Sequence, residues 1–186
     1  MALKATIHKA SVSFSDLDRN VYRDHEVTIA RHPSETEERM MVRLLALVLN
    51  APENNDHGTL ELGKDLWEAD EPALQQQDLT GLPVHWIELG QPDEKRLVRI
   101  CRRVPKVTVY SFSTATPTWW SALAGKLSPL KNLTVWQIPS EQSEALGALV
   151  ERTMELQVTL QEGTLTVDAD GKSVELIPVR LFGAEG

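Results

Sequence analysis

The residue with the clearest potential for chemistry is Glu88, a lone carboxylate in the apolar run Trp86-Ile87-Glu88-Leu89-Gly90. An acidic segment, Ala69-Asp70-Glu71-Pro72, precedes it along the chain. A buried carboxylate has to be hydrogen-bonded, paired or metal-bound, because an isolated buried charge is very costly. If a strand pair brings the two acidic segments together, their oxygens form a ligand set for a hard divalent cation. The alternative is a glutamate at a sheet edge that faces water.

Antiparallel pairing would place Asp70 and Glu88 at the same end of a hairpin. If residues 72–78 are extended, Glu88 lies opposite Ala73 or Leu74. Asp70 shares the parity of Leu74, so we expect it on the same face of the sheet as Glu88. The sequence leaves open whether residues 72–78 form a strand or a short helix.

A third acid, Glu38, lies in a predicted helix. Ser34 as N-cap and Glu37 three residues later fit a capping box at its start. Apolar residues then recur at helical spacing, at Met41, Leu44, Leu45 and Val48. Glu38 shares the side of this apolar stripe and could point along the core-facing edge of the helix. The alternative is an ordinary acid in the first turn, where the helix dipole favours it.

The segment 95–106 reverses the charge of an acidic chain. It holds six of the 19 Lys and Arg residues and no acid, whereas the whole chain has a net charge of −8. Its apolar residues recur at helical spacing, at Leu97, Ile100, Cys101 and Val104, so the cations cover the opposite face. Arg96, Arg99 and Arg103 are therefore candidates for contacts with nucleic-acid phosphates. A solvated helix face is the alternative.

Other motifs favour structural roles. Cys101 lies on the apolar stripe and is expected in the core, and a single cysteine excludes an internal disulfide. The five histidines show no spacing typical of a zinc site. Asp168-Ala169-Asp170-Gly171 resembles the start of a calcium loop, but strand-like sequence follows at once, which favours a hairpin turn. The chain contains no phosphate-binding glycine loop and no serine nucleophile elbow.

Composition predicts one globular domain over residues 1–186, without a membrane span. The chain is 41% hydrophobic and 25% charged, as in ordinary soluble proteins. No apolar run approaches the roughly 20 residues that cross a bilayer. The lone cysteine fits a reducing cytoplasm and gives no disulfide-linked partner. The acidic balance argues against a protein that coats nucleic acid, although it allows a local basic groove.

Periodicity predicts a mixed α/β or α+β fold. The predicted strands are 3–14, 21–31, 59–67, 84–89, 107–112, 133–138 and an antiparallel meander after residue 153. The predicted helices follow Ser34 and span 92–104, 116–127 and, capped by Ser140, about 140–152. Strands that alternate with helices in the middle of the chain favour a central sheet flanked by helices.

Several of these segments together resemble the bacterial YaeQ family, over essentially the whole chain. The most specific are Arg31-His32-Pro33-Ser34-Glu35-Thr36 and Trp86-Ile87-Glu88-Leu89-Gly90, with Asp70-Glu71-Pro72 between them. The resemblance implies a variant of the PD-(D/E)xK nuclease fold. Its core is a mixed central sheet flanked by helices, here with extra antiparallel strands at the N- and C-terminal ends.

The resemblance also implies a magnesium site. In such nucleases a glutamate of the first helix, an aspartate after proline and a later acid hold one or two Mg²⁺ ions, and a lysine two residues further on orients the attacking water. Glu38 and Glu88 match the first and last acids. Ala73 stands where the aspartate is expected after Pro72, and Gly90 stands in place of the lysine.

We therefore expect Asp70 to complete the metal ligands with Glu38 and Glu88, and Lys95 or the amide of Gln91 to replace the missing lysine. The leading hypothesis is a magnesium-dependent phosphodiesterase that acts on nucleic acid. The alternative, favoured by the two departures from the motif, is a catalytically inactive binding or regulatory module on the same fold. An interaction domain that uses an exposed sheet edge is a third possibility.

Overall fold

A computed structural model describes residues 4–183, and these divide into two compact units. Unit 1 contains the described residues up to Val48 together with Pro139–Pro178, and unit 2 contains Leu49–Ile138 together with the described residues from Val179. The chain therefore passes between the units three times, after residues 48, 138 and 178. None of the described helices is long and apolar enough to cross a membrane.

Strands and helices alternate along the middle of the chain, and strands dominate at both ends. In chain order the described elements are β1 (Thr6–Asp16), β2 (Val21–Arg31), α1 (Glu37–Asn50), β3 (Leu60–Leu62), β4 (Leu74–Gln77), β5 (Pro83–Leu89), α2 (Glu94–Cys101), β6 (Lys106–Ser111), α3 (Thr116–Leu127), β7 (Leu133–Gln137), α4 (Ser140–Gly147), β8 (Thr153–Gln161), β9 (Thr164–Ala169), β10 (Lys172–Leu176) and β11 (Val179–Phe182).

The sheet of unit 1 joins the two ends of the chain. Its strand order is β10-β9-β8-β1-β2, with β1 antiparallel to β2 and parallel to β8. Strands β8, β9 and β10 form the antiparallel meander predicted from their alternation and turns. The two-residue period places apolar side chains on one face, where they are buried: Ala10, Val12, Phe14, Met154, Leu156, Val158, Leu165 and Val167.

Helix α1 begins two residues later than a cap at Ser34 would allow, so the predicted capping box is wrong. The Ser34 hydroxyl lies 2.6 Å from Nδ1 of His32 and is used in that local contact. The Thr36 hydroxyl instead accepts the backbone N–H of Arg39 at 3.1 Å, in the geometry of an N-cap. The predicted apolar stripe is confirmed, since Met41, Leu44, Leu45 and Val48 are all buried.

Helix α4 packs closely against the start of α1. The hydroxyl of Ser143 donates to the Glu38 carboxylate at 2.6 Å. A Cβ atom added at Gly147 would lie 2.8 Å from the Cα atom of Glu38, so only glycine fits there without a shift of backbone. The helix ends at Gly147, not near residue 152 as predicted, and Pro139, not Ser140, occupies its N-cap position.

Unit 2 is built on a parallel β-α-β-α-β arrangement. Its sheet has the order β11-β7-β6-β5-β4-β3, in which β5, β6 and β7 are parallel and the other neighbours are antiparallel. Helices α2 and α3 provide the two crossovers. Residues buried between these helices and the sheet form a hydrophobic cluster: Trp86, Leu97, Ile100, Val104, Val107, Val109, Leu127, Leu133 and Val135.

The structure decides the open questions around β4. Residues 74–77 form a strand, and Leu74 pairs with Ile87, so Glu88 falls opposite Ala73, one of the two predicted positions. The strand predicted over 59–67 is much shorter, because only Leu60–Leu62 find a partner in β4. The following residues turn instead, with N–H groups of Trp67 and Glu68 bonded to the Lys64 carbonyl.

The predicted fold class is confirmed as a mixed α+β fold. One feature differs, because the described strands form two sheets in place of one central sheet. The strands expected as additions at both chain ends make up the first sheet, and the alternating middle of the chain makes up most of the second. The prediction that residues 1–186 form one domain stays a prediction.

We predict that Gly147→Ala lowers the free energy of unfolding by about 1–3 kcal/mol, because the new methyl group meets the backbone of α1. Urea unfolding followed by circular dichroism measures the change. Gly125→Ala is the matched control, since this glycine lies in α3 with open space around it, and alanine there should stabilise by roughly 0.5–1 kcal/mol. Equal effects of the two substitutions would contradict the close approach of α1 and α4.

We predict a stability loss in mild acid that depends on His85. This residue is buried, its Nε2 lies 2.9 Å from the Thr108 hydroxyl, and burial, with the charge of Lys106, lowers its pKa from 6.5 to about 3. Below pH 6.5 the His85 side chain is protonated in the unfolded chain but stays neutral in the folded chain. The contribution of His85 to the free energy of unfolding is therefore fully present above pH 6.5 and falls as the pH decreases towards 3.

Between pH 7.5 and 5.5 the free energy of unfolding of the wild type should therefore fall by about 1.4 kcal/mol more than that of His85→Gln. This difference corresponds to the one proton that His85 binds in the unfolded chain only. The exposed His57, changed to Gln, is the control and should retain the wild-type loss. Urea titrations at the two pH values measure the difference, and parallel curves for wild type and His85→Gln would refute it.

Candidate functional site

Glu88 lies near the carboxyl end of β5, on the face covered by α2 and α3. Trp86, two residues earlier on the same face, belongs to the hydrophobic cluster beneath these helices. The residue is 6% exposed, so the expectation that a buried carboxylate needs partners applies. A three-residue connection of Gly90, Gln91 and Pro92 leads from β5 to Asp93, the N-cap of α2. Glu88 and the first turn of α2 are thereby held close together.

Three N–H groups bind the Glu88 carboxylate. The guanidinium of Arg96 donates from Nη2 to Oε1 at 2.9 Å and from Nε to Oε2 at 3.1 Å, in a bidentate ion pair. The indole N–H of Trp86 donates to Oε1 at 2.6 Å. The side chains of Arg96 and Glu88 are only 19% and 8% exposed, so this is a largely buried ion pair.

Arg96 also holds the acidic segment that precedes β4. Its Nη1 donates to the carbonyl of Ala69 at 2.6 Å, and its Nη2 donates to the carbonyl of Glu71 at 3.0 Å. Burial disfavours the charged guanidinium, but hydrogen bonds and charge attraction from Glu88, with Asp70 and Asp65 nearby, raise the pKa of Arg96 above its usual value. One side chain thus joins β5, α2 and the loop at residues 69–71.

Asp70 makes a second, weaker ion pair with the same helix. Arg99, one turn after Arg96, donates from Nη2 to the Asp70 carboxylate at 3.2 Å. The two side chains are 52% and 87% exposed, so water competes for both. Asp70 and Glu88 therefore pair with arginines three residues apart on α2.

Glu38, the third predicted ligand, belongs to unit 1, whereas Asp70 and Glu88 belong to unit 2. Its carboxylate accepts the Ser143 hydroxyl at 2.6 Å. Ser143 is fully buried, and its hydroxyl also lies 3.1 Å from the Ser140 carbonyl, within α4. Within unit 1 Glu38 therefore contributes to the contact between α1 and α4.

The two candidates for the missing lysine lie on the surface of unit 2. Lys95 is exposed on the first turn of α2. Gln91 is exposed as well, and its amide donates to the Ser113 hydroxyl at 2.8 Å, which links the loops after β5 and β6. Gly90 adopts a φ of +97° with open space at its Cβ position, so this turn, where the motif expects lysine, favours glycine for its conformation.

A metal centre built from the three acids stays a prediction. Among the described residues, no three His, Cys, Asp or Glu side chains form a group that could hold a metal ion. The Glu88 oxygens already accept three N–H groups, so a cation would have to displace the Arg96 guanidinium to reach them. In this arrangement the Glu88 carboxylate is paired with a guanidinium.

The predicted basic surface is only partly available. Arg96 turns inward, while Lys95, Arg99, Arg102, Arg103 and Lys106 are exposed. Sequence reasoning assigned Arg96 to phosphate contacts and missed its pairing with Glu88. The signal in the sequence was the position of Arg96, eight residues after Glu88 and just beyond a short connection between strand and helix. Trp86 also escaped notice as a donor, although an indole N–H buried beside a carboxylate needs an acceptor.

The sequence and the fold place this chain in a defined class of proteins. The family model described as YaeQ protein matches residues 1–178. The YaeQ protein of Escherichia coli (strain K12) is 42% identical over 178 residues, which cover 95% of each chain, and that of Salmonella typhi is 41% identical over 178 residues and 95% of each chain.

Solved structures agree with this assignment. The crystal structure of YaeQ protein from Xanthomonas axonopodis pv. citri matches with a TM-score of 0.90 and 42% identity, covering 97% of this chain and 99% of that one. YaeQ protein from Pseudomonas syringae matches with a TM-score of 0.88 and 36% identity, over 98% of both chains. The chain belongs to the YaeQ family, as the resemblance implied.

We predict that Arg96→Met lowers the free energy of unfolding by about 3–5 kcal/mol, because it leaves the Glu88 carboxylate buried without its cation. Arg99→Met removes the same charge from the same helix but only breaks an exposed pair, so it should cost about 0.2–1 kcal/mol. Urea unfolding of the two variants measures both values. Similar losses would show that the Glu88–Arg96 pair is no more important than a surface contact.

Proposed function

We propose that this protein is a nucleic-acid-binding module on a nuclease-like scaffold and that its acidic centre has a structural role. The observation that carries the proposal is that N–H groups of Arg96 and Trp86 donate hydrogen bonds to both oxygens of the Glu88 carboxylate. The carboxylate that would be expected to bind a catalytic metal is instead saturated with N–H donors. The absence of an acid at Ala73 and of a lysine at Gly90 supports the same conclusion.

The exposed cations of α2 and the following turn provide the binding surface. Lys95, Arg99, Arg102, Arg103 and Lys106 are all exposed. No acid lies between residues 95 and 106, although the chain as a whole is acidic. From outside the segment, the exposed Asp70 pairs with Arg99. Contacts between such cations and phosphates attract nucleic acid of any sequence, and they weaken steeply with salt because counterions are released on binding.

A second candidate is a magnesium-dependent phosphodiesterase. One observation favours it: Asp70 and Glu88 both lie beside α2, where they pair with Arg99 and Arg96. In this hypothesis Asp70 and Glu88 would hold Mg²⁺, and Lys95 or Gln91 would stabilise charge on the phosphate. The bound metal would supply an activated water and neutralise phosphate charge. Arg96 would first have to leave Glu88.

The test combines binding, turnover and metal response. We expect wild type to bind labelled single-stranded or duplex oligonucleotides in low salt, with affinity that falls as salt rises, and to leave single-stranded, duplex and branched substrates intact in Mg²⁺. We expect Mg²⁺ to leave the melting temperatures of wild type and Glu88→Gln unchanged. Fluorescence anisotropy, gel assays and differential scanning fluorimetry make these measurements.

The two candidates predict opposite results. Cleavage by wild type that is lost in Glu88→Gln, together with a Mg²⁺-dependent rise in melting temperature seen only in wild type, would establish the phosphodiesterase and overturn the binding module. Lack of binding to every oligonucleotide in low salt would reject both proposals for nucleic acid.

A further inference from the structure

A small cavity in unit 2 adjoins the Asp70–Arg99 pair. Its volume is about 160 Å³, and its lining residues are Asp70, Trp86, Arg99, Ile100, Arg103 and Val104. The cavity volume is several times the roughly 30 Å³ that one water molecule occupies in the liquid. It is smaller than the roughly 300–1,000 Å³ of pockets that bind drug-sized ligands. The cavity therefore suits a small chemical group at the end of a larger ligand.

The charge and shape of the cavity select an anion. Arg99 lies in α2 and Arg103 in the turn that follows it, and both residues line the cavity. Within the described part of the chain no carboxylate pairs with Arg103, and only the exposed Asp70 pairs with Arg99. Trp86, Ile100 and Val104 give an apolar floor on which the cations act with less screening than in open water.

The end of α2 does not repel an anion as a bare helix C-terminus would. The side-chain amide of Asn132 donates to the carbonyls of Cys101 and Val104, both at 2.8 Å. The carbonyl of Cys101, the last residue of α2, would otherwise present the negative end of the helix near Arg103. The charged residues that line the cavity are therefore two arginines and one carboxylate, that of Asp70.

We propose that this cavity receives a terminal phosphomonoester of a nucleic-acid strand. A phosphomonoester carries about −1.5 to −2 charges at neutral pH and one substituent, so it can project into a small pocket and match two arginines. A phosphodiester within a strand carries one charge and a sugar on each side, so it cannot enter to the same depth. The inference rests on the proposed nucleic-acid binding and names the part of the strand that is recognised.

Asp70 controls access to one of the two cations. In the free protein its carboxylate pairs with Arg99 at 3.2 Å, with both side chains largely in water. An incoming phosphate competes for that guanidinium, and because the pair is weak the exchange costs little. The Asp70 carboxylate then lies beside the phosphate and repels it, so removal of its charge should strengthen binding.

The experiment compares the same oligonucleotide with a 5′-phosphate, a 3′-phosphate or hydroxyl groups at both ends. Fluorescence anisotropy at fixed salt should show that wild type prefers one phosphorylated form over the hydroxyl form by about tenfold or more. Arg103→Gln should abolish this preference. Asp70→Asn should increase affinity for the phosphorylated form severalfold and for the hydroxyl form by a smaller factor, so the end preference increases.

Arg102→Gln is the matched control, because Arg102 is an exposed neighbour that does not line the cavity. It removes the same charge and should weaken all three oligonucleotides equally, so the end preference remains. A phosphoserine peptide and inorganic phosphate complete the set and should bind far more weakly than the phosphorylated oligonucleotide. Circular dichroism of each variant confirms that it is folded.

Three results would overturn the inference: equal affinity of wild type for all ends, equal loss of preference in Arg102→Gln and Arg103→Gln, or binding of the phosphopeptide as tight as that of the phosphorylated oligonucleotide. Binding of oligonucleotides without end preference would reject this inference and leave the proposed function intact. Failure to bind any oligonucleotide would reject the proposed function itself.

Discussion

The buried ion pair between Glu88 and Arg96 is the interaction on which the centre of unit 2 depends. A charge pair of this kind is costly to bury and becomes favourable only when its remaining hydrogen-bonding groups are satisfied. Here the indole of Trp86 and the carbonyls of Ala69 and Glu71 complete the set. Strand β5, helix α2 and the loop at residues 69–71 thereby share one guanidinium, which holds the three segments together.

The parallel arrangement of β5, β6 and β7 explains why polar groups gather at one edge of this sheet. Parallel strands joined by helices have their carboxyl ends together, and the short connections after them carry the polar residues. The Gln91 amide and the Ser113 hydroxyl meet there in a hydrogen bond that joins two successive loops. The basic helix α2 starts at this edge and runs back across the sheet. Arg96 near its start forms the ion pair, while Arg99 in its last turn and Arg102 and Arg103 after it are exposed to solvent.

Much of the fold could be predicted from the sequence because local signals and tertiary packing agreed. Helix α3 begins and ends where Pro117 and the apolar spacing indicated, and the terminal meander follows its alternation. The errors lie where a competing partner decided the outcome. His32 engages the Ser34 hydroxyl and leaves Thr36 to cap α1, and only three residues of the strand expected over 59–67 find a pairing partner.

The site was predictable in part for the same reason. Burial of Glu88 required a partner, and that requirement was readable from its apolar neighbours. The identity of the partner was not, because segment 95–106 offers several cations and helix phase alone selects the one that turns inward. Likewise, the cavity beside Arg103 depends on side chains from β5, α2 and the loop at Asp70, which no local pattern brings together.

The parallel pairing of β1 with β8 has a consequence for biosynthesis. Lys9 pairs with Thr153, and the next strand of the sheet follows only at residue 164. A nascent chain that ends at residue 138 contains β3 to β7 with both crossover helices, whereas the sheet of unit 1 is limited to a two-stranded hairpin. A lone hairpin of this kind is marginally stable in water. Strands β1 and β2 therefore wait for the synthesis of β8, β9 and β10 before their five-stranded sheet can form.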